Sequence, residues 1–251
     1  MGRPECILNF FEMTGSLGSL DLRAISGHFM GMRLLILTAA ICGFAQGQAP
    51  VAGIPKRQLV PMEVMQRAQA PTQKMIDQMV RGNYKALIDQ WHPGFVKAIS
   101  RPYGGPEKFK ASVLKMLNQM GGNGIAIQAG ITRKPDIAFE VDWGPQDVLV
   151  DGKPVTGPDG KPKQEFAYRQ WMVYVPTVID ANINNTRVEP AVLEKWRTFS
   201  FQIAISPKRN ENWTFIDGGR VTPLQLRKIF PFLPKDEKDL IFPKVRREQI
   251  K

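Results

Sequence analysis

Phe199 to Gly219, FSFQIAISPKRNENWTFIDGG, leaves a chain little choice but a β-hairpin. Phe199, Phe201, Ile203 and Ile205 alternate with Ser200, Gln202 and Ala204, the period-two pattern of a strand with one buried face. Pro207 to Asn212 supplies a polar turn. Trp213, Phe215 and Ile216 begin the return strand, and Asp217-Gly218-Gly219 stops it. The rest of the chain then has to pack on, or close, a sheet that contains this hairpin.

Upstream, the apolar period is first helical. Met75, Ile76 and Met79 recur at helical spacing within Thr72 to Arg81, with Pro71 in the first turn and Gly82-Asn83 at the end. A second helix runs from Tyr84 towards Trp91. His92-Pro93-Gly94 interrupts it, and Phe95, Val96 and Ile99 continue its stripe. Pro106 to Met120 is the third, with Phe109, Val113, Met116, Leu117 and Met120 on one face. After Gly124 the period switches to that of strands: Ile125, Ile127, Ala129 and Ile131, then Ile137, Phe139 and Val141. In Phe166 to Val178, Phe166, Tyr168, Gln170, Met172 and Tyr174 share one face, and Arg169, Trp171, Val173 and Val175 the other. Asp180 to Pro190 is polar and Asn-rich and reads as a long loop. Thr222-Pro223 caps a short helix, and the Pro-punctuated tail from Pro231 reads as extended on the surface. Helices followed by a run of strands predict an α+β fold, with three N-terminal helices packed on one face of a strongly curved antiparallel sheet.

The first 61 residues read differently. Met32 to Ala49, MRLLILTAAICGFAQGQA, has a positive Arg33, an apolar run from Leu34 to Cys42 and then small residues, which is a secretory signal pattern. Its apolar run is too short to span a bilayer. Cleavage is expected after Gly47, with Ala45 as the alternative. Residues 1–29 fit neither signal nor domain and are read as an over-extended, disordered start. That gives residues 30–47 as signal, 48–61 as flexible linker, 62–240 as the domain and 241–251 as a basic tail. Signal removal would take away both cysteines, Cys6 and Cys42, and with them any thiol nucleophile or Cys metal site. The expected location is secreted or periplasmic, with no transmembrane segment after processing.

QKMIDQMVRGNYKALIDQWHP at Gln73 to Pro93, EKFKASVLKMLNQM at Glu107 to Met120 and NWTFIDG at Asn212 to Gly218 carry a family resemblance. Helices followed by long strands ending in W-x-F-I-D-G resemble the nuclear transport factor 2-like superfamily, the cystatin-like α+β cone, and among it small exported bacterial proteins without assigned activity. The resemblance covers roughly residues 62–240. It implies helices wrapped on a bent sheet around a cone-shaped cavity. Members include isomerases, dehydratases, ligand-binding domains and non-catalytic oligomerisation modules, so the fold alone names no chemistry.

Candidate chemistry is sparse. His92 is the one histidine after the signal and a general-base candidate, although its place before Pro93 at a helix break suits a cap. In catalytic relatives an Asp or Tyr in the cone acts as base or oxyanion donor, which makes Asp217 and Tyr174 the corresponding candidates. Asp217 alternatively only forms the turn with Gly218-Gly219. Tyr168, Tyr174, Trp171, Trp213 and Phe215 are the expected cavity lining. No ligand-spaced cluster predicts a metal, and no nucleotide-binding loop or hydrolase motif predicts a cofactor. Asn184 and Asn212 match the N-glycosylation pattern. A formal net charge of +11 favours polyanions, but the charges are scattered, and no specific nucleic-acid partner is expected. Three functions stay open: a non-catalytic cavity domain taking a small apolar ligand or a protein partner, a cofactor-free isomerase, dehydratase or hydrolase, and a basic envelope protein binding polyanions. A homodimer is compatible with each.

Overall fold

The computed structural model describes residues 59–186, 190–233, 240 and 242–250. The expectations for an over-extended start, a signal and a linker up to residue 58 lie outside these residues. Four helices come first: α1 (Met62–Val80), α2 (Tyr84–Asp89), α3 (Pro93–Ile99) and α4 (Pro106–Gln119). The strands follow as β1 (Ile125–Thr132), β2 (Ile137–Asp147), the short pair β3 (Leu149–Val150) and β4 (Lys153–Pro154), then β5 (Gln164–Asn185), β6 (Val192–Pro207) and β7 (Thr214–Asp217). Helix α5 (Pro223–Ile229) and strand β8 (Arg246–Ile250) end the described chain. The protein is therefore α+β, with an antiparallel main sheet.

That sheet is organised on one ribbon. β5 and β6 pair in unbroken register from Gln170 with Pro207 to Asn185 with Val192. The outer edge of β5 carries β1 along one half and β2 along the other. The outer edge of β6 likewise carries β8 and β7. The sheet is neither closed nor strongly curled, which corrects the expected cone. Burial shows why a hollow does not follow from the alternation. Met172, Val173, Tyr174 and Val175 are buried consecutively, as are Ile203, Ala204 and Ile205, so both sheet faces are covered here.

Residues in register share a face, and this sorts the core. On the first face Tyr174, Ile203 and Ile216 line up. They are buried with Met172, Phe201, Phe95, Leu226, Phe230, Leu233 and Leu240, and Phe242 packs against them. The tail from Pro231 thus contributes buried side chains and then a strand, not a surface ribbon. On the second face Gly130 lets α1 approach. A Cβ there would sit 2.3 Å from Ile76 Cγ2, far inside contact distance. Gln73 fixes the same contact: its Nε2 donates to the Gly130 carbonyl at 2.9 Å, and its Oε1 accepts from the Thr132 backbone N–H at 2.8 Å.

Two boundaries differ from expectation. Helix α1 starts at Met62, so Pro71 lies inside it rather than in its first turn. The segment Asp180 to Asn185 belongs to β5, because Arg197 on β6 grips Asp180 through two bonds of 2.8 Å and Glu194 accepts from Asn185. Polar cross-strand pairs replace the apolar alternation there. The short helix α5 agrees with the sequence reading, with Thr222 and Gln225 forming a full capping box.

Candidate functional site

The five aromatic residues expected to line one cavity divide between the two faces. Tyr168 and Tyr174 lie on the first face, whereas Trp171 pairs with Ser206 and Phe215 with Ala204 on the second. Tyr174 is fully buried, its ring centroid 5.6 Å from Phe139, 5.4 Å from Phe201 and 5.7 Å from Phe242. Phe215 is equally buried. Side chains fill the space that the sequence reading gave to a ligand.

Of the three catalytic candidates, His92 and Asp217 are held by local structure and Tyr174 is enclosed in the core. The backbone N–H of His92 donates to the Phe215 carbonyl at 2.8 Å, which ties the start of α3 to β7. Its Nδ1 caps α3 by accepting from Phe95 N–H at 3.4 Å, so that nitrogen is unprotonated. Burial against Phe230 pushes its pKa down to about 4, and the Asp142 carboxylate offsets this only in part. Asp217 faces the side opposite Tyr174, because its register partner is Gln202, so the two candidates for one cone do not share a face. It accepts from Gly219 N–H at 3.1 Å and pairs with Arg220 at 3.1 Å. The hydroxyl of Tyr174 is buried with no hydrogen-bond partner among the described residues, and burial raises its pKa beyond the usual phenol range. An unpaired buried hydroxyl costs about 1–3 kcal/mol. Tyr174→Phe is therefore expected to raise stability by about 1 kcal/mol, read as a higher urea midpoint at unchanged slope. A loss of stability would mean that the hydroxyl has a partner.

Solvent reaches aromatic side chains instead in a groove of about 230 Å³ on the second face. Val64 and Arg67 of α1 form one wall. Trp171 and Ser206 form the floor, and the turn from Pro207 to Trp213 forms the other wall. The turn is held from below: Ser206 Oγ donates to the Asn210 carbonyl at 2.9 Å, and Lys208 N–H to the Arg169 carbonyl at 2.8 Å. Lys208 lies 4.2 Å from the Trp171 ring centroid and forms an ion pair with Glu140, which is only 4% exposed. Arg67 pairs with Glu211 at 2.8 Å across the mouth, both more than half exposed. Arg209 Nη2 donates to the Asp147 carbonyl. The Trp213 indole N–H is buried at this wall without an acceptor among the described residues.

Sequence reasoning picked out Trp171 and Trp213 but missed Val64, Arg67 and Lys208. The signal available for Lys208 was the basic pair Lys208-Arg209 in a turn that runs into Trp213. Among the described residues no group of His, Cys, Asp or Glu is placed to hold a metal, and no helix is long and apolar enough to cross a membrane.

Compared with family models, curated proteins and solved structures, the chain finds no match.

Proposed function

We propose that this chain is an exported, non-catalytic binding module, secreted or periplasmic, which engages a small ligand or a protein partner through the groove between α1 and the β6–β7 turn. Kinship with nuclear transport factor 2-like domains is part of the proposal. It draws support from helices that precede an antiparallel sheet and from the position of the NWTFIDG strand within it. Export rests on the Met32 to Ala49 segment. The observation that carries the binding role is Trp213: the residue lines a solvent-open groove, and its indole donor is enclosed with no acceptor among the described residues. Buried donors are ordinarily satisfied, so such a group invites an acceptor from outside. A non-catalytic role fits the candidate groups, because His92 and Asp217 cap local structure and no hydrogen bond joins either to Tyr174.

The test is a fragment titration of residues 48–251 labelled with nitrogen-15, using neutral, cationic and anionic fragments. The five tryptophans give separable indole signals, and Trp213→Phe assigns one of them. Binding should move the Trp213 signal in a saturable way for at least one fragment class. No saturable change at Trp213 with any class would remove the groove as the binding site.

A further inference from the structure

We infer that the groove's ligand is a small monocarboxylate carrying a short apolar or aromatic tail, an inference that rests on the binding role proposed above. The donor inventory makes the case. Trp213 Nε1–H can only donate and is unpaired among the described residues. Arg67 carries five N–H donors and directs only one contact at Glu211. Arg209 donates to a backbone carbonyl rather than to a carboxylate. The groove's acceptors are engaged to a greater degree: the Asn210 carbonyl takes the Ser206 hydroxyl, and Asn210 Oδ1 takes Asn212 N–H at 3.4 Å. Against these donors the remaining acceptor is the Glu211 carboxylate, already paired with Arg67, so the groove favours a ligand that brings acceptor oxygens.

Charge narrows the choice. Arg67, Lys208 and Arg209 line the groove; Glu211 faces Arg67, and Glu140 lies beneath Lys208. One positive charge is left over, which suits a single negative charge better than a polyanion. A carboxylate can accept from a groove guanidinium with one oxygen and, once a turn of the Trp213 ring brings its enclosed N–H to the groove, from the indole with the other, and charge-assisted bonds of this kind are the stronger ones. Val64, Trp171 and Pro207 offer the tail apolar contacts from the two walls and the floor. At about 230 Å³ the groove lies below the usual range for drug-sized ligands, roughly 300–1,000 Å³, so the tail is short. The same chemistry can come from a free acid or from the C-terminal carboxylate of a peptide.

The experiment follows the Trp213 indole signal while titrating 3-phenylpropionate, its amide 3-phenylpropionamide and 3-phenylpropylamine. Acetyl-Ala-Phe with a free and with an amidated C-terminus forms the peptide arm. The expected result is at least tenfold tighter binding of an acid than of its matched amide. Arg67→Gln and Trp213→Phe should each weaken the acid about tenfold; for Trp213→Phe the fluorescence of the remaining tryptophans reports binding. Unchanged thermal melting of Arg67→Gln separates lost binding from lost folding. The peptide acid binding more tightly than the free acid would assign the source to a peptide terminus, and the reverse to a metabolite-like acid; both support the inference. Equal affinity for acid and amide overturns the carboxylate while leaving the groove as a binding site. Silence of the Trp213 signal with all probes overturns the inference, and silence across the wider fragment set overturns the binding role itself. Full affinity in Arg67→Gln also overturns the inference.

Discussion

Acidifying the protein from about pH 6.5 to about pH 4 is expected to remove roughly 3 kcal/mol of folding stability through His92 alone. The imidazole is buried, and its folded pKa is about 4 against 6.5 for an exposed histidine. The unfolded chain therefore binds the proton first. Stability from keeping His92 neutral is complete above about pH 6.5 and is lost as the pH falls towards 4. Each tenfold difference in proton affinity corresponds to about 1.4 kcal/mol, which sets the size. Protonation would also end the acceptance of Phe95 N–H by Nδ1 and free the start of α3. Urea unfolding at half-unit pH steps from 7.5 to 4 measures the slope. His92→Asn keeps a capping acceptor and cannot titrate, so it should start less stable, because the Phe230 contact is lost, but with a flatter acid limb. An identical slope in that variant would assign the acid sensitivity elsewhere. The Asp180–Arg197 pair does not share this window. Its carboxyl is held below the usual range by the Arg197 bonds, so its contribution is lost at lower pH.

Lys208→Met is expected to cost about 3 kcal/mol. It leaves the Glu140 carboxylate, 4% exposed, without the cation that lies across it. Breaking a buried pair from one side costs about 3–5 kcal/mol, and the partial exposure of Lys208 points to the lower end. The reverse change, Glu140→Leu, should cost less, because Lys208 can turn its ammonium to water. The double variant Lys208→Met, Glu140→Leu should recover most of the loss, since an apolar pair replaces an ionic one at little net cost. Denaturant unfolding of the four proteins forms a double-mutant cycle with a coupling above about 1 kcal/mol. Additive effects would mean that the pair contributes little to the β2–β5–β6 junction.

The hairpin was legible because apolar alternation from Phe199 to Ile205 and the Pro207 to Asn212 turn agree on one structure. The consequence of Ala204 and Ser206 also being buried was not legible, since small residues give no sign of a covered second face. The start of α1 was hidden by Pro71, which reads as a boundary yet sits within the helix. The polar end of β5 was hidden because Asp180 finds its partner only across the sheet, in Arg197. The tail was misread because Leu233, Leu240 and Phe242 are too widely spaced to show a period, although they reach the core. The groove needs Arg67 beside Glu211, a juxtaposition that local patterns do not encode.

The paired central ribbon with two separate strands along each outer edge implies a graded pattern of backbone motion. β1 and β8 can each fray at its own corner without opening its neighbour on the same rail. Amide protons of Met172 to Val175 should then exchange with deuterium only when the whole domain unfolds, while those of β1 and β8 exchange through small independent openings. A molecule built this way stays rigid along its spine while the β1 and β8 corners breathe.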